Sequence, residues 1–341
     1  MSNILVTGGA GYIGSVCSTK LLEQGHRVTV VDDLSTGHAA AVAPGAVLYE
    51  CDIADRGSLR DLFASERFDA VFHFAAKALI PESVSNPGVF FDSNVAASIA
   101  LLEAIRRAGI HRIIFSSSAA VYGNLVVASI DENHPTNPVN AYGETKLMLE
   151  RVLRWYAAAY GWTVVAFRYF NACGGTDTVG EDHQPETHII PLLLQTASGE
   201  RESFEIFGSD YPTPDGTCLR DYVHVEDIAD AHLLALNVME RSRMLVYNIG
   251  VGTSYSVLQI CHAVEQELDR KLNLKQGPRR AGDPAILCAN PQHLMKELGW
   301  KPLRSDLRTI VRSAWQWKQQ HPNGYRTEDT MITASQRVGA E

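Results

Sequence analysis

The sequence predicts an α/β protein: a doubly wound parallel sheet with helices on both faces, carrying a smaller, irregular α+β lobe towards its C-terminal end. Three observations predict it. Short apolar runs alternate with helix-length stretches from Asn3 to about Tyr169. Several of those runs are apolar throughout instead of alternating, as strands covered on both faces require. The first run, Ile4–Thr7, leads into Gly8, Gly11 and Gly14, spaced three residues apart at the start of a helix-like pattern.

Taken in order, Ile4–Thr7 is the first strand. Gly8 and Gly11 let backbone approach a pyrophosphate, and Gly14 lets the following helix, Ile13–Gln24, pack close to the strand. That helix start offers unpaired N–H groups and the positive end of its dipole. The next run, Arg27–Val31, ends at Asp32, an acid about 20 positions beyond the glycines, where a dinucleotide's adenosine ribose is held. Val47–Cys51, Ala70–Phe74, Arg112–Ser116 and Thr163–Phe167 are the remaining strands. Ser58–Ser65, Asn94–Ala108 and Tyr142–Tyr160 are helices between them. Residues 1–171 are thus expected to form a Rossmann-type dinucleotide-binding domain. After Asn171 the texture changes. Cys173–Thr187 and Ser209–Gly216 are rich in turn-forming and polar residues, and a late helix spans Ser305–Gln320. Residues 172–330 form the second lobe, and 331–341 a polar tail. His224–His232 and Val246–Gly250 are expected to return to the first domain.

Composition narrows the partners. A chain of 341 residues with 45% hydrophobic content is ample for two packed lobes. A net charge of −9 without a basic run argues against nucleic acid and anionic membranes. Apolar stretches are strand-length, short of a membrane span. Met1–Ile4 has no signal-peptide character, and the six cysteines form no Cys-x-x-Cys pair, so a reduced cytoplasm is expected. The histidines show no metal-ligand spacing, and no metal site is expected.

The chemistry-bearing residues lie past the middle of the first domain. Tyr142 and Lys146, four apart, share one helix face. A close ammonium and a cationic nicotinamide both favour phenolate, which makes Tyr142 a candidate base. Arg112–Ser116 runs on into Ser118, at the carboxyl end of a parallel strand, where such sheets bind ligands. Its hydroxyl is placed to share a substrate oxygen with Tyr142.

Thr7–Gly14, Ser116–Gly123, Tyr142–Lys146 and Arg168–Asn171 together resemble the extended short-chain dehydrogenase/reductase family. Gly180–His183, Asp210–Thr217, Arg220–Val225 and Pro278–Asp283 resemble its branch of UDP-hexose 4-epimerases, over nearly the whole chain from Asn3 to Tyr325. The resemblance implies a tightly held NAD, UDP-glucose and UDP-galactose as substrates, and a transient 4-keto sugar that turns over before hydride returns to C4. It implies that Tyr142 takes the 4-hydroxyl proton, that Lys146 holds the nicotinamide ribose and tunes Tyr142, and that Ser118 assists. It implies that Tyr12, Ile13, Asp32, Asp33, Ser35, Thr36, Gly37, Asp52, Ile53, Phe74, Ala75, Ala76, Ser93 and Phe170 line NAD. On the substrate side it implies phosphate contacts from Asn171, Arg220 and Arg280, uracil near Phe207 and the uridine ribose on Asp283. Tyr222, His188, Ile189 and Leu287 complete that lining. A homodimer through the helices Asn94–Ala108 and Tyr142–Tyr160 follows from the same resemblance.

Several positions depart from the commonest pattern. Ser93 replaces an asparagine, His188–Ile189 an Asn-Leu pair, and Leu125 and Ala141 prolines. Lys77 is displaced by one from a cofactor-contacting lysine. Leu287 stands where some relatives carry tyrosine, which leaves room for an N-acetyl group. Epimerases of UDP-N-acetylglucosamine or of UDP-xylose and UDP-arabinose are therefore alternatives, with a non-catalytic NAD sensor behind them. A sugar-nucleotide dehydratase is disfavoured, because Ala119-Ala120 follows Ser118 where that chemistry places acids. An NADP reductase is disfavoured because Asp32 repels a 2′-phosphate.

Overall fold

The structure, a computed structural model, describes residues 1–123, 129–238, 243–280 and 283–325. Leu125 and the 331–341 tail lie outside them. The six expected strands form as β1 (Asn3–Thr7), β2 (Arg27–Asp32), β3 (Val47–Glu50), β4 (Ala70–His73), β5 (Arg112–Ser118) and β6 (Thr163–Tyr169). The second lobe contributes β7 (Asn171–Cys173), β8 (Phe204–Phe207) and β9 (Leu219–His224). The chain then returns as β10 (Arg243–Ile249), which pairs in parallel with β6 from Arg243↔Thr163 to Ile249↔Tyr169. β11 (Ser254–Ser256), β12 (Leu274–Gly277) and β13 (Ile286–Leu287) complete the lobe.

The main sheet has seven strands in the order β10-β6-β5-β4-β1-β2-β3, all parallel. Strand order reverses between β1 and β4, so a crevice opens beyond their carboxyl ends. Both faces are covered. Ile4 and Val6 of β1 pack with Val28, Val30 and Phe72 under the helices Tyr12–Glu23 and Val225–Leu236. Leu5, between them, points the other way and packs with Val31 and Val71 under Ala97–Arg107 and Ala141–Tyr160. Two-sided burial is the physical reason these strands read as unbroken apolar runs. A third cluster, including Leu193, Tyr222, Ile260 and Val311, is the core of the second lobe.

The helix expected over Asn94–Ala108 begins differently. A π-helical turn, Phe91–Ala96, precedes the α-helix Ala97–Arg107. Within that turn Asn94 is buried, and its amide grips both backbone groups of Lys77 and the Thr145 hydroxyl. The widened turn gives its side chain the reach to tie the segment after β4 to the helix carrying Tyr142. The expectation that every apolar stretch falls short of a membrane span needs correcting here. Pro87–Arg107 is long and apolar enough by length and composition, with a mean hydropathy of 1.4, yet half of its most apolar window is buried inside the protein. It is the cover of one sheet face.

Candidate active site

The glycine turn has the shape its spacing predicts. Gly8 has φ +72°, and a Cβ there would meet the Ala75 nitrogen at 2.5 Å. A Cβ on Gly14 would sit 2.2 Å from the Gly8 carbonyl, so the helix approaches the strand turn as only glycine permits. Gly11 is less confined, its nearest neighbour being the Gly8 carbonyl at 3.3 Å. Beyond β4, the Phe74 and Ala75 amides donate to Thr7 O at 2.9 and 3.1 Å, holding this segment against the turn.

Asp32, at the end of β2, accepts from Ala10 N at 3.0 Å and from Leu34 N at 2.9 Å. Burial raises its pKa, and those two amides pull it back down. The carboxylate thus shapes the turn and keeps lone pairs for further donors. Asp33 accepts from Ser35 N and Oγ at 3.0 and 2.7 Å, and Asp52 from Ala54 N at 2.8 Å, so both acids shape their own loops. Ile53 is buried beside them. Tyr12 donates its hydroxyl to Gly174 O at 2.6 Å, joining the glycine helix to the second lobe.

At the carboxyl end of β5 the three candidate catalytic groups converge. Asn140 caps the helix Ala141–Tyr160, accepting from Gly143 N at 2.8 Å, and this sets the phase of Tyr142 and Lys146. The Tyr142 phenol and the Ser118 hydroxyl line the same cleft, close enough for the hydroxyl to pull the phenol's pKa down. Lys146 is buried, donates to Ser116 O at 2.8 Å and lies 5.7 Å from the Tyr142 ring centroid. Burial lowers its pKa to about 7. Burial also raises Tyr142 above the ordinary phenol value, opposed by the Ser118 hydroxyl. The expected phenolate is therefore not favoured in the ligand-free chain. Desolvation outweighs the Ser118 hydroxyl, and the cationic ring that would tip the balance belongs to the cofactor.

Behind these groups lies a network that sequence reasoning missed. Glu150 follows Lys146 by one turn, as Lys146 follows Tyr142. Its carboxylate accepts from Ser117 Oγ at 2.5 Å and from Arg168 Nε and Nη2 at 3.0 and 2.7 Å. Arg168 also donates to Tyr122 OH at 3.0 Å, and Tyr122 donates to Asn248 Oδ1 at 2.6 Å. The helix, β5, β6 and β10 are thereby pinned directly behind Ser118. The four-residue spacing of Tyr142, Lys146 and Glu150 was a readable signal; the arginine partner was not.

On the far wall, Arg220 donates to Leu219 O and Pro284 O at 2.9 Å each and to Asp283 Oδ1 at 3.2 Å. The two residues expected to hold phosphate and ribose separately here hold each other. Arg280 stacks on Phe207, its guanidinium carbon 3.9 Å from the ring centroid, so the ring expected near uracil carries a cation. Asn171 Nδ2 donates to Asp221 O at 2.7 Å. Tyr222 is buried in the second-lobe core, and Phe170 packs with Leu147 and Tyr122. His188 precedes the helix Ile189–Ser198, its ring 2.8 Å from Glu181 and 2.9 Å from Glu186. His183 lies in the same group, against the expectation that no histidine sits in metal-ligand company. That expectation weighed histidines only against one another; a run of alternating acids and histidines was the overlooked signal.

All the sequence-predicted site residues, Ser93, Thr36, Gly37, Ala76 and Leu287 among them, line one cleft of about 1420 Å³. Single small-molecule pockets run to about 1,000 Å³, so this cleft has room for two large ligands end to end. The glycine turn, its acid and the groove that Gly8 and Gly14 keep open fit a dinucleotide.

Fold and cleft define a class: a Rossmann-type sheet with a tyrosine, a lysine and a serine set between a dinucleotide turn and an arginine-bearing second lobe. The family model of the NAD dependent epimerase/dehydratase family matches residues 4–250, and the chain belongs to that family. It is 46% identical over 325 residues to UDP-glucose 4-epimerase of Lacticaseibacillus casei, covering 94% of this chain and 98% of that one. A crystal structure of a UDP-glucose 4-epimerase superimposes with TM-score 0.92 at 46% identity, covering 95% and 100% of the two chains. The Bifidobacterium longum UDP-glucose 4-epimerase, solved with NAD+ and UDP, superimposes with TM-score 0.90 at 35% identity, covering 94% of this chain and 99% of that one.

Proposed function

We propose that this chain is an NAD-dependent 4-epimerase of UDP-hexoses, interconverting UDP-glucose and UDP-galactose. The observation that carries the reading is the convergence of Tyr142, Lys146 and Ser118 at the carboxyl end of β5, in a cleft bordered by the glycine turn and by Arg220 and Arg280. NAD, when bound, supplies the acceptor and then the donor of the C4 hydride. Gly8, Gly11 and Gly14 admit its pyrophosphate, Asp32 takes the adenosine ribose, Asp52 and Ile53 the adenine edge, and Lys146 the nicotinamide ribose. Ser118 and Tyr142 share the 4-oxygen of the sugar, and Tyr142 takes its proton and later gives it back. Arg220, Arg280 and Asn171 anchor the diphosphate, with Phe207 by the uracil and Asp283 by the ribose. Anchoring the remote nucleotide while leaving the sugar loosely held lets the 4-keto ring present its other face. Arg220 keeps guanidinium N–H groups beyond its three contacts, so it can fork onto phosphate without abandoning the loop.

The direct test adds UDP-galactose to purified protein with no cofactor. UDP-glucose should accumulate to equilibrium; an unchanged sugar even with saturating NAD would refute the activity. An Asp32→Ala chain should bind NAD about 10–100-fold more weakly and discriminate less against NADP, because a charge-assisted bond to the ribose is lost. Equal affinities for both cofactors before and after the change, read by calorimetry, would remove Asp32 from the cofactor.

The working form is a homodimer acting in galactose metabolism in the cytoplasm. Supporting the dimer, Trp155 is 76% exposed on the face of Ala141–Tyr160 opposite the buried Leu149 and Leu153. Supporting the compartment, all six cysteines are free and buried. Sedimentation should give twice the chain mass, and Trp155→Arg should shift it towards the single chain. A monomeric wild type at micromolar concentration would rule the dimer out.

A further inference from the structure

We infer that Glu181, His183, Glu186 and His188 form a binding site for one divalent transition-metal ion, zinc by preference, which ties down the loop of residues 174–188 beside the cleft. Each side chain offers one donor atom, and the four lie within 4.8 Å of one another. Glu181 Oε1 is 2.8 Å from His188 Nδ1 and 3.4 Å from His183 Nδ1, and Glu186 Oε1 is 2.9 Å from His188 Nδ1. Tetrahedral zinc, with bonds of about 2.0–2.2 Å, spaces its ligand atoms roughly 3.4 Å apart. Two of the observed separations fall below that value and the third matches it, so a small opening of the cluster around an ion completes the sphere.

Charge argues the same way. The Glu181 and Glu186 side chains are each only 7% exposed, and among the described residues no lysine or arginine pairs with either. Two shielded carboxylates without a lysine or arginine partner favour a bound cation. Two neutral imidazoles and a divalent cation bring the group to zero. The buried Nδ1 of His183 has no hydrogen-bond partner, which an ion would supply. Two imidazoles with two carboxylates suit zinc or cobalt(II) and are poorly matched to magnesium or calcium, which take oxygen donors.

The position gives the ion a purpose. Between β7 and the helix Ile189–Ser198 the chain runs through residues 174–188 with neither helix nor strand. A loop of that length in a packed protein needs something to order it. Gly180, Asp182 and Thr187 of the same loop line the cleft, and Gly174 accepts from Tyr12 on the glycine helix. Glu181, His183 and His188 themselves line the cleft, so the ion orders its wall; none of the four ligands is Tyr142, Lys146 or Ser118, so it takes no part in the proton transfer.

The test uses the full chain, stripped with EDTA, desalted and titrated with zinc or cobalt(II). The expected results are one zinc per chain retained through desalting, measured by mass spectrometry, and a melting temperature higher by several degrees with zinc than with EDTA. Cobalt(II) should give the visible bands of a tetrahedral nitrogen–oxygen site without thiolate charge transfer in the near ultraviolet. His183→Gln combined with His188→Gln should bind at least ~10-fold more weakly. Negligible zinc in the wild type with an unmoved melting temperature, or a thiolate spectrum marking a cysteine site, would overturn the proposal. Undiminished binding in the double variant would do the same, and if that variant fails to fold the wild-type cobalt spectrum decides alone.

Discussion

A Tyr142→Phe chain is expected to retain NAD through purification and to lose about 10²–10⁴-fold in turnover, the usual worth of a positioned acid–base group. The substitution removes one oxygen and leaves the ring, so the helix start capped by Asn140 and the packing around Phe115 and Lys146 stay in place. What disappears is the phenol that lies beside Ser118 and would exchange a proton with the sugar. In the ligand-free chain burial keeps that phenol protonated, and Lys146 loses its proton near neutrality because it too is buried. On the proposed reading, a bound cationic cofactor would favour the phenolate that burial disfavours. Turnover with UDP-galactose and NAD released on denaturation are the two readings. Near wild-type turnover would remove Tyr142 from the chemistry, whereas lost NAD would recast it as a cofactor ligand.

The second large effect is on stability. Glu150→Ala should cost about 3–5 kcal/mol and lower the melting temperature by roughly 4–7 °C. Glu150 is 2% exposed and Arg168 5%, and two hydrogen bonds link them. Removing the carboxylate strands a guanidinium that cannot reach water and leaves the Ser117 hydroxyl without its acceptor. The neighbouring Ser118 then loses the fixed strand behind it, so turnover should fall as well. Urea unfolding of both chains measures the difference; a loss below about 1 kcal/mol would mean that water reaches Arg168 and the pair is not desolvated.

Much of this arrangement could be read before any coordinates. β1, β2, β4, β5 and β6 were visible because strands buried on both faces read as apolar runs, and the edge strand β3 because its short run is apolar apart from Glu50. Gly8, Gly11, Gly14 and Asp32 were visible because a turn and the acid after the next strand lie close together in the chain. Tyr142 and Lys146 were visible because four residues make about one helical turn. The missed features all depend on partners far away in sequence. Arg168 meets Glu150 only because the helix Ala141–Tyr160 packs over β6, and Arg220 meets Asp283 across 63 residues. Asn94 reaches Lys77 only because of a π-helical turn that no periodicity announces.

The residue order by itself determined the sheet, the glycine turn and which side chains are the candidates for chemistry, since each is encoded by neighbours within a strand or a helical turn. Tertiary structure alone decided their protonation and their companions. Burial holds Tyr142 protonated and discharges Lys146, Arg220 turns to Asp283, and a loop gathers Glu181, His183, Glu186 and His188. The reason is that desolvation and charge pairing depend on distances through space, which the folded chain sets and the order of residues does not.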